Sequence, residues 1–152
     1  MESSFTLLRE IGILTLTDTE EVRFSIDAYR GFRYVSVRRY LKADGFAGPT
    51  RDGITLSPEM VEILMPLLQQ LPDDPQKIPT GEVAKLAKRA GICVVVRVVH
   101  FKDNLGLDLR QWQSDTGFTK KGIWLPLDKI TDIKKLFADT LAALNERPDE
   151  DF

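Results

Sequence analysis

The chain has 152 residues, a formal net charge of −2 and a single cysteine, Cys93. This length suits one ordinary domain or two small ones, and one cysteine excludes an internal disulfide framework and a cysteine-based zinc site. No stretch reaches the roughly 18 apolar residues of a membrane span, and the first residues lack the basic start and apolar run of a secretory leader. We therefore expect a soluble protein that is cytoplasmic, either nucleoid-associated or phage-encoded in a host cell, or nuclear if its source is a eukaryote.

Four strands are predicted in the first part of the chain. Their side chains alternate with a period of two, which is typical of half-buried strands. The alternation is strict where Phe24 and Ile26 share one face and Arg23 lies on the other. The predicted strands cover residues 11–17, 22–28, 32–40 and 54–56, with a Gly- and Pro-rich loop over residues 41–52.

A helix is predicted to follow the fourth strand. Ser57 can cap the free amides at its start, Pro58 fits the first turn, and Glu59 suits the positive end of the helix dipole. Pro66 lies inside the helix and predicts a kink. The apolar residues that recur at helical spacing, and should bury one face, are Val61, Leu64, Leu67, Leu68 and Leu71.

The second part of the chain follows the same order after a linker rich in Pro and Asp. Its first strand, over residues 83–88, is predicted because the repeat described below requires one, although Thr80-Gly81-Glu82 resembles a helix start. A nearly all-apolar strand over residues 92–101 comes next. Two further strands are predicted around Leu107 and Ile123, and a final apolar-faced helix after Asp128.

One stretch of the sequence occurs twice. Arginine, aromatic, glycine and Gly-Ile motifs recur in the same order, and such a long-period repeat sets the domain organisation. The first copy contains Arg38-Arg39-Tyr40, Gly45-Phe46 and Gly53-Ile54-Thr55-Leu56; the second contains Arg110-Gln111-Trp112, Gly117-Phe118 and Gly122-Ile123-Trp124-Leu125. We therefore predict an α+β fold of two ββββα repeats, each an antiparallel four-stranded sheet with a C-terminal helix. The predicted units are residues 5–71 and 80–145, the linker 72–79 and an acidic tail, 146–152.

The sheet face opposite each helix carries arginines and aromatics. Residues 22–57 hold seven Lys and Arg against three Asp, which favours a polyanionic partner. Aromatics interleaved with cations suit single-stranded nucleic acid, because cations track phosphates and rings stack on unpaired bases. The alternative for each residue is packing against a cross-strand neighbour or plain solvation. The candidate binding residues are Arg23, Tyr29, Arg30, Tyr34, Arg38, Tyr40, Lys42 and Arg51, and in the second repeat Arg97, Phe101, Lys102, Arg110, Trp112, Lys120, Lys121 and Trp124.

The ordered motifs resemble the carboxy-terminal domain of transcriptional positive cofactor four, a family of single-stranded DNA-binding coactivators. The motifs that carry the resemblance are Tyr29-Arg30-Gly31, Arg38-Arg39-Tyr40, Asp44-Gly45, Arg51-Asp52-Gly53-Ile54-Thr55-Leu56 and Pro58-Glu59, with Phe101-Lys102, Arg110-Gln111-Trp112, Lys120-Lys121-Gly122-Ile123-Trp124-Leu125 and Asp128 in the second repeat. The resemblance implies a monomer built as an intramolecular pseudo-dimer, with its helices packed together and single strands lying across the sheets. Asp52, Trp124 and Pro126 depart from the family pattern, which implies unequal halves.

These features predict a largely sequence-independent single-stranded DNA-binding protein, with RNA as an alternative ligand. An enzyme is not expected, and neither is a cofactor, a metal or a membrane partner. His100 is the only histidine, and no metal-ligand spacing, nucleophile motif or phosphate loop is present. Asp27 and Asp108 are interpreted as isolated outward carboxylates without a paired acid.

The acidic end of the chain resembles the tails of replicative single-strand binding proteins of bacteria and phages, in which a final Phe docks partner enzymes. The resemblance implies that replication or recombination proteins bind here, and it favours a role in DNA replication, recombination or repair. The alternative is that these acidic residues only keep the end of the chain soluble and bind no partner. Two other functions stay open: a transcription coactivator or regulator that binds melted DNA or RNA, and a protein-docking module without nucleic-acid binding. The predicted partner-binding tail is Asp149, Glu150, Asp151 and Phe152.

Overall fold

The computed structural model describes residues 6–43 and 46–146. The first half contains β1 (Thr6–Thr15), β2 (Glu20–Tyr29), β3 (Phe32–Ala43), β4 (Phe46–Leu56) and α1 (Pro58–Gln69). The second half contains β5 (Gly81–Arg89), β6 (Ile92–Phe101), β7 (Asn104–Gln113), β8 (Gly117–Pro126) and α2 (Ile130–Leu144), with short 3-10 turns at Pro75–Lys77 and Leu127–Lys129. The strands form two antiparallel sheets, ordered β1-β2-β3-β4 and β5-β6-β7-β8. This confirms the predicted α+β fold of two ββββα repeats, including the ambiguous first strand of the second repeat.

The alternating side chains divide each sheet into a buried and an open face. On β2, Val22 and Phe24 are fully buried, whereas Arg23 between them is half-buried on the opposite face. Val35 and Val37 on β3 are also fully buried. Apolar residues of this parity form the core because the strand period of two places them all on one side.

The hairpin between β3 and β4 is longer than predicted. The prediction of a loop over residues 41–52 is wrong, because β3 runs to Ala43 and β4 begins at Phe46. Tyr40 pairs with Pro49 and Leu41 with Gly48. The proline is tolerated because β4 lies at the edge of its sheet.

The two helices begin differently. The Ser57 hydroxyl accepts a hydrogen bond from the Met60 backbone N–H at 3.2 Å, as predicted for an N-cap. Lys129, at the start of α2, makes no such side-chain hydrogen bond. Helix α1 continues through Pro66 to Gln69. No helix among the described residues is long and apolar enough to span a membrane.

The two halves share one hydrophobic core. The helices pack against each other, and α2 also lies against β1 and β2 of the first half, while α1 lies against β5 of the second. Phe24 on β2 meets Phe137 on α2 edge to face, with ring centroids 5.2 Å apart. Arg33 donates a hydrogen bond to the Leu144 carbonyl across the same junction. Each helix thus completes the core of the opposite half, which makes the chain an intramolecular pseudo-dimer.

Candidate nucleic-acid interface

A cleft of about 840 Å³ lies where the two halves meet along β4 and β8. We call it the basic cleft, because its described lining includes cationic side chains from both halves and no Asp or Glu. The first half also contributes Tyr29 and Tyr34, one on each side of the turn that joins β2 to β3. The cationic residues of the basic cleft are Arg38, Arg51, Lys88, Arg89, Lys120 and Lys121.

Arg38 is held flat on the first-half wall of this cleft. It lies on the open face of β3 because its neighbours in the alternation, Val35 and Val37, fill the core. Its guanidinium donates a hydrogen bond to the Thr50 carbonyl at 2.9 Å. It also crosses Gly53 on β4, where an added Cβ would come within 2.6 Å of the guanidinium carbon. The glycine of the Gly-Ile motif therefore leaves room for the arginine to lie against the strand.

The second-half wall concentrates positive charge at the end of β5 and in the middle of β8. Partial desolvation of the Lys88 ammonium by the cleft wall lowers its pKa, although the residue is exposed overall, and the nearby charges of Arg89 and Lys121 lower it further. The Lys88 ammonium lies 3.4 Å from the side-chain oxygen of Gln111, a neutral partner. Like charges gathered without a counter-charge favour an anionic ligand, because binding relieves their mutual repulsion.

Three other candidates, Arg23, Tyr40 and Lys42, lie together on the first sheet, outside the lining of the basic cleft. They surround Glu21, whose side chain is nearly buried: Arg23 donates to its carboxylate at 2.7 Å, and the Lys42 ammonium lies at 3.1 Å. These two hydrogen bonds lower the pKa of Glu21, and the hydrogen bond that Arg23 donates to Glu21 raises the pKa of Arg23. The Arg23 guanidinium also stacks over the Tyr40 ring at 4.1 Å. The charge of this cluster is thus partly neutralised within the sheet.

Arg97 and Arg110 are paired in the same way on the second sheet. The interpretation of Asp108 as an isolated outward carboxylate is wrong, because it is 2% exposed beneath these arginines. Arg110 donates to both of its carboxylate oxygens, at 3.0 and 3.2 Å, and Arg97 lies 3.6 Å away. An outward-facing carboxylate on a strand becomes buried when long neighbouring side chains fold over it. The alternation of side chains in the sequence does not by itself show that Asp108 is covered.

The remaining aromatic and basic candidates also lie outside the lining of the basic cleft. Phe101 packs on Trp124 at 5.6 Å between ring centroids, with the Lys102 ammonium 5.3 Å from the Phe101 ring. Arg30 occupies a turn with a positive φ of 52°, its guanidinium 5.2 Å from the Tyr29 ring. Trp112 is half-buried on β7. The predicted tail residues Asp149, Glu150, Asp151 and Phe152 lie outside the described residues.

The structure brings together candidates from both repeats and adds three second-half residues that were not among the predicted binding residues. The predicted residues in the basic cleft are Tyr29, Tyr34, Arg38, Arg51, Lys120 and Lys121. The additions are Lys88, Arg89 and Gln111. A signal for two of them exists in the sequence, since Lys88-Arg89 is a basic pair beside the turn at Gly91. Their relation to Tyr34 depends on how the halves pack.

The fold and this cleft define a two-sheet protein with a cationic, tyrosine-bearing groove between its halves. Residues 16–67 match the model of the family described as Transcriptional Coactivator p15 (PC4), a nucleic-acid-binding, non-enzymatic family. The match spans β2, β3, β4 and most of α1, so this part of the chain has a PC4-like fold. No curated protein matches the chain. Within the described ranges, no group of three or more His, Cys, Asp or Glu side chains could hold a metal ion.

Proposed function

We propose that this chain binds single-stranded DNA in the basic cleft, without catalysis and with little preference for sequence. The observation that carries the proposal is the gathering of cations from both halves around two tyrosines, with no acid among the described lining residues. The PC4-like fold of residues 16–67 supports the same ligand class.

The chemistry of the lining suits an unpaired strand better than a duplex. Arginine and lysine side chains would contact successive phosphates, which carry the same charge whatever the base. The rings of Tyr29 and Tyr34 would stack on unpaired bases, an interaction that every base can make. A duplex hides its base faces, so it would use only the charge of the cleft. We therefore expect tighter binding to single strands than to duplex.

For the cellular role we propose DNA replication, recombination or repair, with partner enzymes docked through the acidic tail. This rests on the acidic residues Asp149, Glu150 and Asp151 beside Phe152. A second candidate is a transcription coactivator that binds melted DNA, which the family description favours. Deleting residues 148–152 tests the tail: single-strand affinity should stay the same or rise, because an acidic competitor is removed. A fall in affinity would contradict this role for the tail.

The binding proposal is tested by fluorescence anisotropy with a labelled oligonucleotide, as a single strand, as a duplex and as RNA. Lys120→Ala with Lys121→Ala removes two cleft cations and should weaken single-strand binding roughly 25-fold at about 0.1 M salt. The matched control is Lys77→Ala with Lys135→Ala, which removes two exposed lysines outside the cleft lining.

Three results would count against the proposal. Absence of single-strand binding by the unaltered chain would refute the function. Equal losses in the two double variants would refute the cleft as the site. Duplex binding as tight as single-strand binding would refute the stacking role of the tyrosines.

A further inference from the structure

The two-fold relation between the halves implies a second cleft equivalent to the basic cleft. Strand pairing identifies its residues. Thr15 pairs with Glu21 in the first sheet, and Ala87 pairs with Cys93 at the equivalent place in the second sheet. The next residues along the chain, Leu16 and Lys88, are therefore equivalent. A groove of about 480 Å³ lies at this equivalent place, and we call it the second cleft. Its lining includes Leu16, Trp124, Pro126 and Lys129, which correspond to Lys88, Thr55, Ser57 and Met60 of the basic cleft.

The second cleft lacks the positive charge of the basic cleft. Among its described lining residues the charged ones are Asp128 and Lys129, whose charges are of opposite sign and cancel. The residue equivalent to Lys121 is Asp52, and it is held in an ion pair with Arg39. Glu20 lies 3.3 Å from the same guanidinium. A polyanion would therefore find no net attraction at this position.

A tryptophan fills the place where a base would stack. Gly106 stands where the first half has Tyr34, and an added Cβ at Gly106 would overlap the indole of Trp124. The indole N–H points to the Val99 carbonyl at 3.4 Å, and one side of the indole packs against Phe101. Trp124 itself replaces Thr55 of the first half. The larger ring covers the strand that the missing tyrosine leaves bare.

The arginine that corresponds to Arg38 is also occupied. Arg110 is bound to Asp108, which stands where the first half has Ser36. Asp108 is buried and also lies 3.6 Å from Arg97, whose guanidinium stacks over the Phe118 ring at 3.9 Å. Arg110, Arg97 and the Phe118 ring thus each have a partner within the protein.

We infer that the chain binds one single strand, in the basic cleft alone, and that the second half serves as a cationic wall for the first half's tyrosines. This inference rests on the proposed function, because it specifies how many strands the same activity holds. The two halves have diverged in different ways. The lysines of the second half line the basic cleft, whereas Trp124 and Asp108 of the same half close the equivalent second cleft.

Native mass spectrometry of the full chain with a short oligothymidine tests the inference. The oligonucleotide should be only about ten nucleotides long, so that one molecule cannot fill two clefts, and it is added in several-fold excess at low salt. The expected complex contains one chain and one oligonucleotide. A complex of one chain with two oligonucleotides would overturn the inference while supporting single-strand binding. A chain that stays free of oligonucleotide would refute the proposed function instead.

Paired substitutions at equivalent positions locate the occupied cleft. Lys88→Leu should weaken single-strand binding about fivefold at about 0.1 M salt, because one phosphate contact is lost. Leu16→Ala, at the equivalent place in the second cleft, should change the affinity less than twofold. Trp124→Thr should leave the affinity of the basic cleft within twofold as well. A loss in Leu16→Ala or Trp124→Thr as large as that in Lys88→Leu, with unchanged circular dichroism, would show that the second cleft contacts the strand.

Discussion

Replacing Lys121 by Met should remove one phosphate contact from the basic cleft and leave the fold unchanged. The Lys121 side chain is exposed. The residue's backbone N–H donates to the Thr119 hydroxyl, a contact that the substitution keeps. Methionine preserves much of the length of the side chain and removes only its charge. The substitution therefore tests electrostatics rather than packing.

The expected magnitude follows from counterion release. Each neutralised phosphate contributes about −0.7 to the slope of log K against log salt for a single strand. If all six cleft cations contact phosphates, the slope of the unaltered protein approaches about −4, and Lys121→Met should reduce its steepness by about 0.7. This corresponds to roughly fivefold weaker binding at 0.1 M salt, or about 1 kcal/mol, and to almost no difference near 1 M.

Anisotropy titrations with labelled oligothymidine across a range of salt concentrations measure both slopes. Lys77→Met is the matched control, because Lys77 is exposed in the turn at Pro75–Lys77 and does not line the basic cleft. Its slope should equal that of the unaltered protein. An unchanged slope in Lys121→Met, or the same reduction in Lys77→Met, would refute the assignment of phosphate contacts to this cleft.

Three further outcomes are expected. The pKa of Lys88 is lowered, and a bound phosphate favours the charged form of this lysine. The affinity should therefore fall as pH rises through that pKa, at a lower pH than for an ordinary lysine. Titrations between about pH 7 and 10 should show this fall, and Lys121→Met should move it to higher pH. A fall at the same pH in both proteins would contradict it. Tyr34→Ala should reduce the binding free energy by about 1–3 kcal/mol and leave the salt slope unchanged, and an unchanged affinity would exclude stacking on Tyr34. Phe137→Ala should lower the free energy of unfolding by about 3–5 kcal/mol in urea, because Phe137 is fully buried against Phe24; a loss below about 1 kcal/mol would contradict the shared core.

The fold could be predicted from the sequence because its signals are local. Strict alternation around Phe24 and the Ser57-Pro58 start of α1 depend only on neighbours along the chain, and both agree with the structure. The hairpin arms beyond Tyr40 could not be predicted in this way. Glycine and proline there indicate a loop, yet pairing between β3 and β4 outweighs their weak strand preference.

The candidate site was only partly predictable, because it forms between distant parts of the chain. Parity along a strand identifies which side chains leave the core, and it selected Tyr34 and Arg38. It cannot show which of them are covered by neighbours, as Asp108 is by the arginines beside it. Lys88 was not selected, because its contribution depends on β5 and β8 meeting the first half at one cleft.

The unequal halves also bear on the direction of a bound strand. In a symmetric dimer of identical units, the two equivalent clefts would hold strands that run in opposite directions, so the dimer as a whole would show no preferred direction. Here one wall carries Tyr29 and Tyr34, and the other carries Lys88 and Lys121. Reversing the strand would bring different sugar and base edges against the rings, so the two orientations differ in energy. If one strand binds in the basic cleft alone, as proposed, the fusion of two diverged copies would give the whole molecule a single preferred strand direction.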